Sequence, residues 1–365
     1  MGLIHMDNDR ISREIENAIS QGIFPGAVLL CAKNQKILFH ESYGEADIFE
    51  KRKMTKDSIF DLASLTKPLA TTLALSKLIE RDQVFLDQKI GSILEEFKTS
   101  PKADITIDML LRHTSGFPAH REYFKKIIKT NENPRQFLRH LLVCEELENI
   151  IGERQVYSDL GFMVLSWIIE EISGQRLDQF VWEQIYSPLE IDDLFFPETG
   201  LKSKKFIQYR QKIVAGQQCP WRKKMLVGEV DDDNAWAAGG VEGHAGLFGN
   251  AGSIYKLCFE ILKALQNKPT RVLRPDIIQN FVSRKNKHAM VAGFDTPSKE
   301  GSSSGNYFSK SSIGHLGFAG TSFWIDPETG LIIIFLTNRV HPLRSNEGIK
   351  KFRPQIHDLI FSELI

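Results

Sequence analysis

Two side chains three positions apart, Ser64 and Lys67, have the types and spacing of an acylating nucleophile with its proton carrier. Residues at i and i+3 lie one above the other on a helix face. If Ser64 opens a buried helix, the helix-end N–H groups and dipole favour a developing oxyanion. Burial at that positive end is expected to lower the Lys67 pKa and let the amine accept the serine proton. The local sequence suits this. The apolar run IFDLA precedes Ser64, Pro68 is tolerated only in a first helical turn, and LATTLALSKLI continues as a strongly apolar helix. On its own the pair leaves a plainer reading open, with Ser64 as an N-cap and Lys67 as a surface charge.

Two further groups shift the balance. Tyr157-Ser158-Asp159 stands at the start of the apolar segment 160–172. A tyrosine held beside an ammonium is expected to ionise more easily and to serve as a general base. His315-Leu316-Gly317 precedes a C-terminal pair of strand-like runs. A glycine there lets a substrate lie along a strand edge, and the next backbone N–H, that of Phe318, can point into the site. Competing motifs have less support. Gly301-Ser302-Ser303-Ser304-Gly305 matches G-x-S-x-G but lies in a polar loop, without the strand and helix that form a strained nucleophile elbow. Ser253-Ile254-Tyr255-Lys256 repeats the S-x-x-K pattern, but Ser253 reads as the N-cap of an ordinary amphipathic helix. His244-Ala245-Gly246 lies in a glycine-rich loop and reads as structural. His113 reads as a buried scaffold residue, Asp231-Asp232-Asp233 as a solvated acidic turn, and His288 and His341 as loop residues.

Ser64-x-x-Lys67, then Tyr157-Ser158-Asp159, then His315-x-Gly317, in that order, resembles the serine β-lactamase-related superfamily: class C β-lactamases, their esterase relatives and penicillin-binding carboxypeptidases. The segments FPGAVLLCAKNQKILFHESYGEAD, LLRHTSGFP, GEVDDDNAWAAGGVEGHAGLF and GHLGFAGTSFWIDPETG fit the same resemblance, which spans about residues 10–360. It implies Ser64 as the acylated nucleophile, with Lys67 and Tyr157 sharing its proton. Tyr157 would also activate the deacylating water. The N–H groups of Ser64 and Phe318 would form the oxyanion hole. His315 stands where many relatives carry a lysine, and is expected to orient Tyr157 or bind a substrate carboxylate. Asp159 stands where the family often has asparagine. When ionised it cannot donate to a substrate, and pairing with Lys67 would raise the lysine pKa. Both departures favour an esterase or a D-alanyl- or muramyl-peptide hydrolase over an efficient β-lactamase. A β-lactamase proper, or a slowly deacylating penicillin sensor, is the alternative.

The elements that must position these groups follow from periodicity. Ile11, Ile15, Ala18 and Ile19 share one helix face, and Gly22 ends the helix. Residues 27–33 and 36–42 read as a hairpin across Asn34-Gln35, and 321–327 with 331–338 as a second one. Helical patterns dominate 65–284, and a last helix covers about 353–364. Ser64 and His315 are 251 positions apart (315 minus 64) yet must share a site. The expectation is therefore an α+β fold with a central antiparallel sheet built from both chain ends. It would be a single catalytic domain over 10–360, with a sheet lobe (1–75 plus 285–365) and an inserted helical lobe (76–284).

Composition sets the remaining bounds. Lys+Arg and Asp+Glu are both 46, so there is no basic excess for nucleic acid or a membrane surface. Hydrophobic residues make up 42%, too many for a disordered chain. No apolar stretch is long enough to span a bilayer. No signal peptide is visible, which suggests a cytoplasmic protein, or a periplasmic or secreted one whose leader has been removed. The four cysteines are scattered, no histidine or cysteine set has metal-site spacing, and no metal or cofactor is expected. The expected partner is a small ester, amide or peptidoglycan-fragment substrate.

Overall fold

In a computed structural model of the chain, residues 8–197, 209–284 and 290–365 are described; His288 lies outside them. Both expected hairpins form. β1 (Gly26–Lys33) turns into β2 (Lys36–Asp47), which carries the short β3 (Arg52–Lys53) on its outer edge. Near the other end of the chain, β4 (Ile313–Leu316), β5 (Ser322–Asp326) and β6 (Leu331–Thr337) form a meander. The two halves join where β1 pairs antiparallel with β6, Ala27 opposite Thr337 and Lys33 opposite Leu331. The six-stranded order is β3-β2-β1-β6-β5-β4. The architecture is α+β.

Strand periodicity explains why the sheet is covered on both faces. Ala27, Leu29 and Cys31 of β1 and Ile333 and Phe335 of β6 point to one side. There they meet Ile11 and Ile15 of α1 (Asn8–Ser20) and Phe352, Ile356 and Ile360 of a C-terminal helix, Ile349–Leu364. That helix begins four residues before the expected position. The alternate residues, Val28, Leu30, Ile332 and Ile334, face the larger core, which holds α2 (Leu73–Glu80), α3 (Pro134–Cys144), α4 (Asp159–Ser173), α5 (Ala251–Leu265) and α6 (Pro275–Val282). We number Ile349–Leu364 as α7.

Two local expectations are corrected. Ser253 is not an N-cap. α5 starts earlier, and Asn250 caps it by accepting the Ser253 N–H at 2.8 Å; an asparagine three positions upstream serves as well as serine. Asp231-Asp232-Asp233 is not a solvated turn. Asp231 is buried and ion-paired to Arg344, Asp233 pairs with Arg222 and Arg344, and Asp232 holds His244. His341 lies in a loop as expected and is buried there, with its Nδ1 donating to the Gly216 carbonyl at 2.8 Å and its Nε2 accepting from the Ile48 N–H at 3.1 Å.

Candidate active site

Ser64 sits on a turn fixed from three sides. A short strand, Phe60–Asp61, pairs with Phe248–Gly249, and the Asp61 carboxylate then accepts the N–H groups of Ala63 (2.8 Å) and Asp231 (2.7 Å). Burial pushes the Asp61 carboxyl up to about 7. Ala63 takes a left-handed φ of +47°, rare for a residue with a Cβ. Thr66 locks this bend, its hydroxyl donating to the Ala63 carbonyl (2.6 Å) and accepting from the Leu247 N–H (3.1 Å). Lys67 follows, opening a wide helical turn over Lys67–Thr72 that continues into α2.

The β4 edge closes on the same turn. The Thr321 hydroxyl donates to the Leu62 carbonyl at 3.1 Å. A Cβ on Gly317 would lie 2.6 Å from that carbonyl and 2.0 Å from Thr321 Oγ1, so only glycine allows β4 to approach Ser64 this closely. The backbone N–H groups of Ser64 and Phe318 donate to no protein acceptor among the described residues, which leaves both free to bind a substrate oxygen.

The lysine is enclosed. Its side chain is 0% exposed, and its ammonium donates to Ser64 Oγ (3.1 Å), Asp159 Oδ1 (2.7 Å) and the His244 carbonyl (3.2 Å). The His244 carbonyl reaches it because the glycine loop packs directly on α4: a Cβ at Gly243 would lie 2.1 Å from the Phe162 carbonyl. The ring of Tyr157 lies under the ammonium, 4.7 Å from centroid to Nζ. Tyr157 lines the same cavity as Ser64, and 37% of the residue is exposed there.

Protonation differs from expectation at two positions. Burial alone would lower Lys67, but the Asp159 carboxylate, followed by Tyr157, outweighs it and holds the lysine above its ordinary value. Burial raises Tyr157, and Lys67 only partly opposes this. Asp159 is itself held below the ordinary carboxylate range. Burial works against ionisation, but Lys67, His120 and His244 overcome it. The resting site is therefore an ammonium, a carboxylate and a neutral phenol.

His315 is buried, and its Nδ1 lies 2.9 Å from the Leu316 carbonyl. A carbonyl only accepts, so the proton is on Nδ1 and Nε2 carries a lone pair. Burial, reinforced by Lys67, lowers its pKa to about 3. The ring faces Tyr157 at 5.9 Å between centroids. In the resting site His315 is therefore neutral and faces Tyr157. His113 is a support: its Nδ1 accepts the Ser158 N–H at 3.0 Å, and its ring packs 4.6 Å from that of Tyr157.

Ser64, Tyr157, Asp159, His315, Gly317 and Phe318 all line one cavity of about 650 Å³. Of the lining residues not singled out from the sequence, His120 and Arg353 bear most directly on the chemistry. His120 approaches the second oxygen of Asp159 at 3.4 Å. Arg353 of α7 is 4% exposed and forms no ion pair or hydrogen bond among the described residues, and its Nε is buried without a partner. Burial, then Arg339, lowers its pKa to about 10, so it remains a guanidinium cation. A periodic helix pattern carries no signal for either residue.

The model of the family described as Beta-lactamase matches residues 11–356. A "Putative D-alanyl-D-alanine carboxypeptidase" of Escherichia coli (strain K12) is 30% identical over 363 residues, covering 91% of this chain and 82% of the relative. An N-acetylmuramyl-L-alanine amidase of Bacillus subtilis (strain 168) is 31% identical over 372 residues, covering 91% and 81%. Among solved structures, EstCE1, a hydrolase with promiscuous acyltransferase activity, superimposes with a TM-score of 0.74 at 18% identity, covering 96% of this chain and 98% of that one. The octameric penicillin-binding protein homologue from Pyrococcus abyssi gives 0.74 at 17% identity, covering 98% and 77%. No helix among the described residues is long and apolar enough to cross a membrane.

Proposed function

We propose, from the premise that this chain belongs to the Beta-lactamase family and is a serine hydrolase, that it cleaves an amide in a small peptidoglycan-derived peptide bearing a free carboxylate. The observation that carries this reading is the placement of Ser64. Its hydroxyl meets the Lys67 ammonium at 3.1 Å, beside free N–H donors, at one end of a cavity that also holds the unpaired Arg353.

The chemistry follows from the resting charges. Ser64 Oγ attacks the carbonyl carbon, and the Ser64 and Phe318 N–H groups receive the oxyanion. One such donor typically contributes about 10²–10³-fold in rate. An amide leaves only if its nitrogen gains a proton. Tyr157, held protonated by burial and lining the cavity beside Lys67 and Ser64, is placed to give one. The acyl-enzyme then yields to water. A buried guanidinium with no acidic partner is costly unless a ligand anion meets it. That favours a carboxylate-bearing substrate over a simple ester, in keeping with the amidase and carboxypeptidase names of the relatives.

The test is intact-mass analysis with a fluorophosphonate, followed by turnover of muropeptides, p-nitrophenyl esters and nitrocefin. A single adduct absent from Ser64→Ala, with steady release of peptide product, is expected. Labelling that persists in Ser64→Ala would overturn the nucleophile. A burst on nitrocefin with no turnover of any substrate would mark a penicillin sensor instead.

A further inference from the structure

Lys67 is not the resting base: the Asp159 carboxylate 2.7 Å away holds it as an ammonium, whose nitrogen has no lone pair to take the Ser64 proton. Tyr157 is a neutral phenol. His113 uses its Nδ1 lone pair on the Ser158 N–H. The anion in contact with this group is Asp159, whose side chain is 18% exposed. Its Oδ1 meets Lys67 at 2.7 Å and its Oδ2 faces His120 Nδ1 at 3.4 Å. His120 is 48% exposed and opens to solvent. Its loop is bound to the same turn twice, through the Asp159 N–H on the Ala119 carbonyl (2.9 Å) and the Ser158 hydroxyl on the Pro118 carbonyl (2.7 Å).

We infer that Asp159 is the terminal acceptor of the Ser64 proton, working through Lys67, and that His120 positions Asp159 and sets its basicity. This rests on the acyl-enzyme reading above. As the bond from Ser64 Oγ to the carbonyl carbon forms, the carbonyl π pair moves onto oxygen. The serine proton passes to Lys67 Nζ, and Lys67 passes one of its own to Asp159 Oδ1. Lys67 stays an ammonium and Asp159 becomes a neutral acid. Lys67, His120 and His244 outweigh burial and keep Asp159 ionised at rest, so the neutral acid forms only transiently. When the tetrahedral intermediate collapses, the carbon–nitrogen bond breaks and its electron pair stays on nitrogen. Tyr157 protonates that nitrogen, Lys67 reprotonates Tyr157, and Asp159 returns its proton to Lys67. The serine proton has in effect moved to the leaving amine. An asparagine at 159 could not take part, because an amide does not accept a proton in this range.

The charged and titratable groups facing Asp159 are Lys67, Tyr157, His113, His120, His244, Asp232 and His315. Those facing His120 are Asp159, Asp232, Glu122 and the adjacent Arg121. Protonated His120 withdraws basicity from Asp159, whereas neutral His120 leaves the carboxylate the stronger acceptor. Acylation should therefore rise with pH as His120 loses its proton, at a pH above the ordinary histidine value because Asp159 stabilises the imidazolium.

The experiment measures the acylation rate constant of Ser64 against pH in the wild type, Asp159→Asn, Asp159→Glu and His120→Gln, with intact mass confirming Ser64 as the labelled residue. Asp159→Asn should acylate about 10²–10⁴-fold more slowly near neutral pH and recover toward alkaline pH, as the now unpaired Lys67 deprotonates. Asp159→Glu should restore part of the neutral-pH rate. The wild-type proton inventory should be bowed and that of Asp159→Asn linear. His120→Gln, an exposed change that leaves the core intact, should remove the acid-side rise. A wild-type rate and pH profile in Asp159→Asn, or an unaltered acid limb in His120→Gln, would overturn the relay while leaving Ser64 as nucleophile. Loss of the Ser64 adduct in the wild type would instead overturn the underlying reading.

Discussion

The Lys67 ammonium and the Asp159 carboxylate form a buried ion pair, Nζ to Oδ1 2.7 Å, at the junction of the Lys67–Thr72 helical turn and α4. The pair binds segments 92 positions apart and sets the charge of every group that Ser64 touches.

Removing one partner should cost more than removing both. Lys67→Met leaves a mostly buried carboxylate uncompensated, and a loss of about 3–5 kcal/mol in urea unfolding at pH 7 is expected. Lys67→Met with Asp159→Leu should recover most of it. The pair's contribution has two pH limits. Asp159 is held below its unfolded value, so its share is present above about pH 4 and is lost as acid protonates the folded carboxylate. Lys67 is held above its unfolded value, so its share is complete below about pH 10 and is lost in stronger base. A double variant as unstable as Lys67→Met alone would contradict this account.

Gly317→Ala should impair acylation more than folding. The added methyl would lie 2.6 Å from the Leu62 carbonyl and 2.0 Å from Thr321 Oγ1. To relieve the contact, β4 must move away from the Ser64 turn and take the Phe318 N–H with it. Loss of that one oxyanion donor predicts a fall of about 10²–10³-fold in kcat, with a modest change in Tm. A variant with normal kcat would show that the Phe318 N–H is not engaged.

Arg353→Met should separate substrates by charge. The variant removes an unpartnered buried guanidinium, so Tm should hold or rise. KM for a carboxylate-bearing muropeptide should rise by roughly thirtyfold or more, the equivalent of about 2 kcal/mol for a desolvated charge pair. A neutral p-nitrophenyl ester should suffer far less. Equal effects on both substrates would remove Arg353 from substrate recognition.

His357 offers a stability test away from the site. Burial, then Arg353, holds its pKa at about 3, and its Nδ1 is 3.2 Å from the Ser304 carbonyl. The unfolded histidine takes up a proton near pH 6.5 while the folded one does not. Its share of stability is therefore present above pH 6.5 and falls as the pH drops toward 3, at up to about 1.4 kcal/mol per pH unit. His357→Gln should flatten that part of the acid slope in denaturant titrations at pH 4.5 and 7.5. An unchanged slope would show that His357 does not carry it.

The Ser64–Lys67 spacing, the Tyr157-Ser158-Asp159 turn and the two hairpins were legible because each depends on neighbours in the chain. A helix places i and i+3 together, a strand alternates faces, and a two-residue turn joins strands. The antiparallel sheet from both chain ends was legible through the order of the motifs. Local reading failed where a competing neighbour stood nearby, as with Asn250 capping the helix that Ser253 was expected to cap.

What the sequence determined by itself is the set of candidate reacting groups, since side-chain type fixes which atoms can attack, donate or carry charge. Only the tertiary structure decided their protonation. Lys67 is an ammonium because the fold places Asp159 2.7 Å away, and Tyr157 stays a phenol because burial outweighs that ammonium. It also brought His120 and Arg353 into the cavity, the first from a loop pinned to α4 and the second from a helix beyond the last strand. A pKa depends on distances and solvent exclusion in three dimensions, and a linear pattern contains neither.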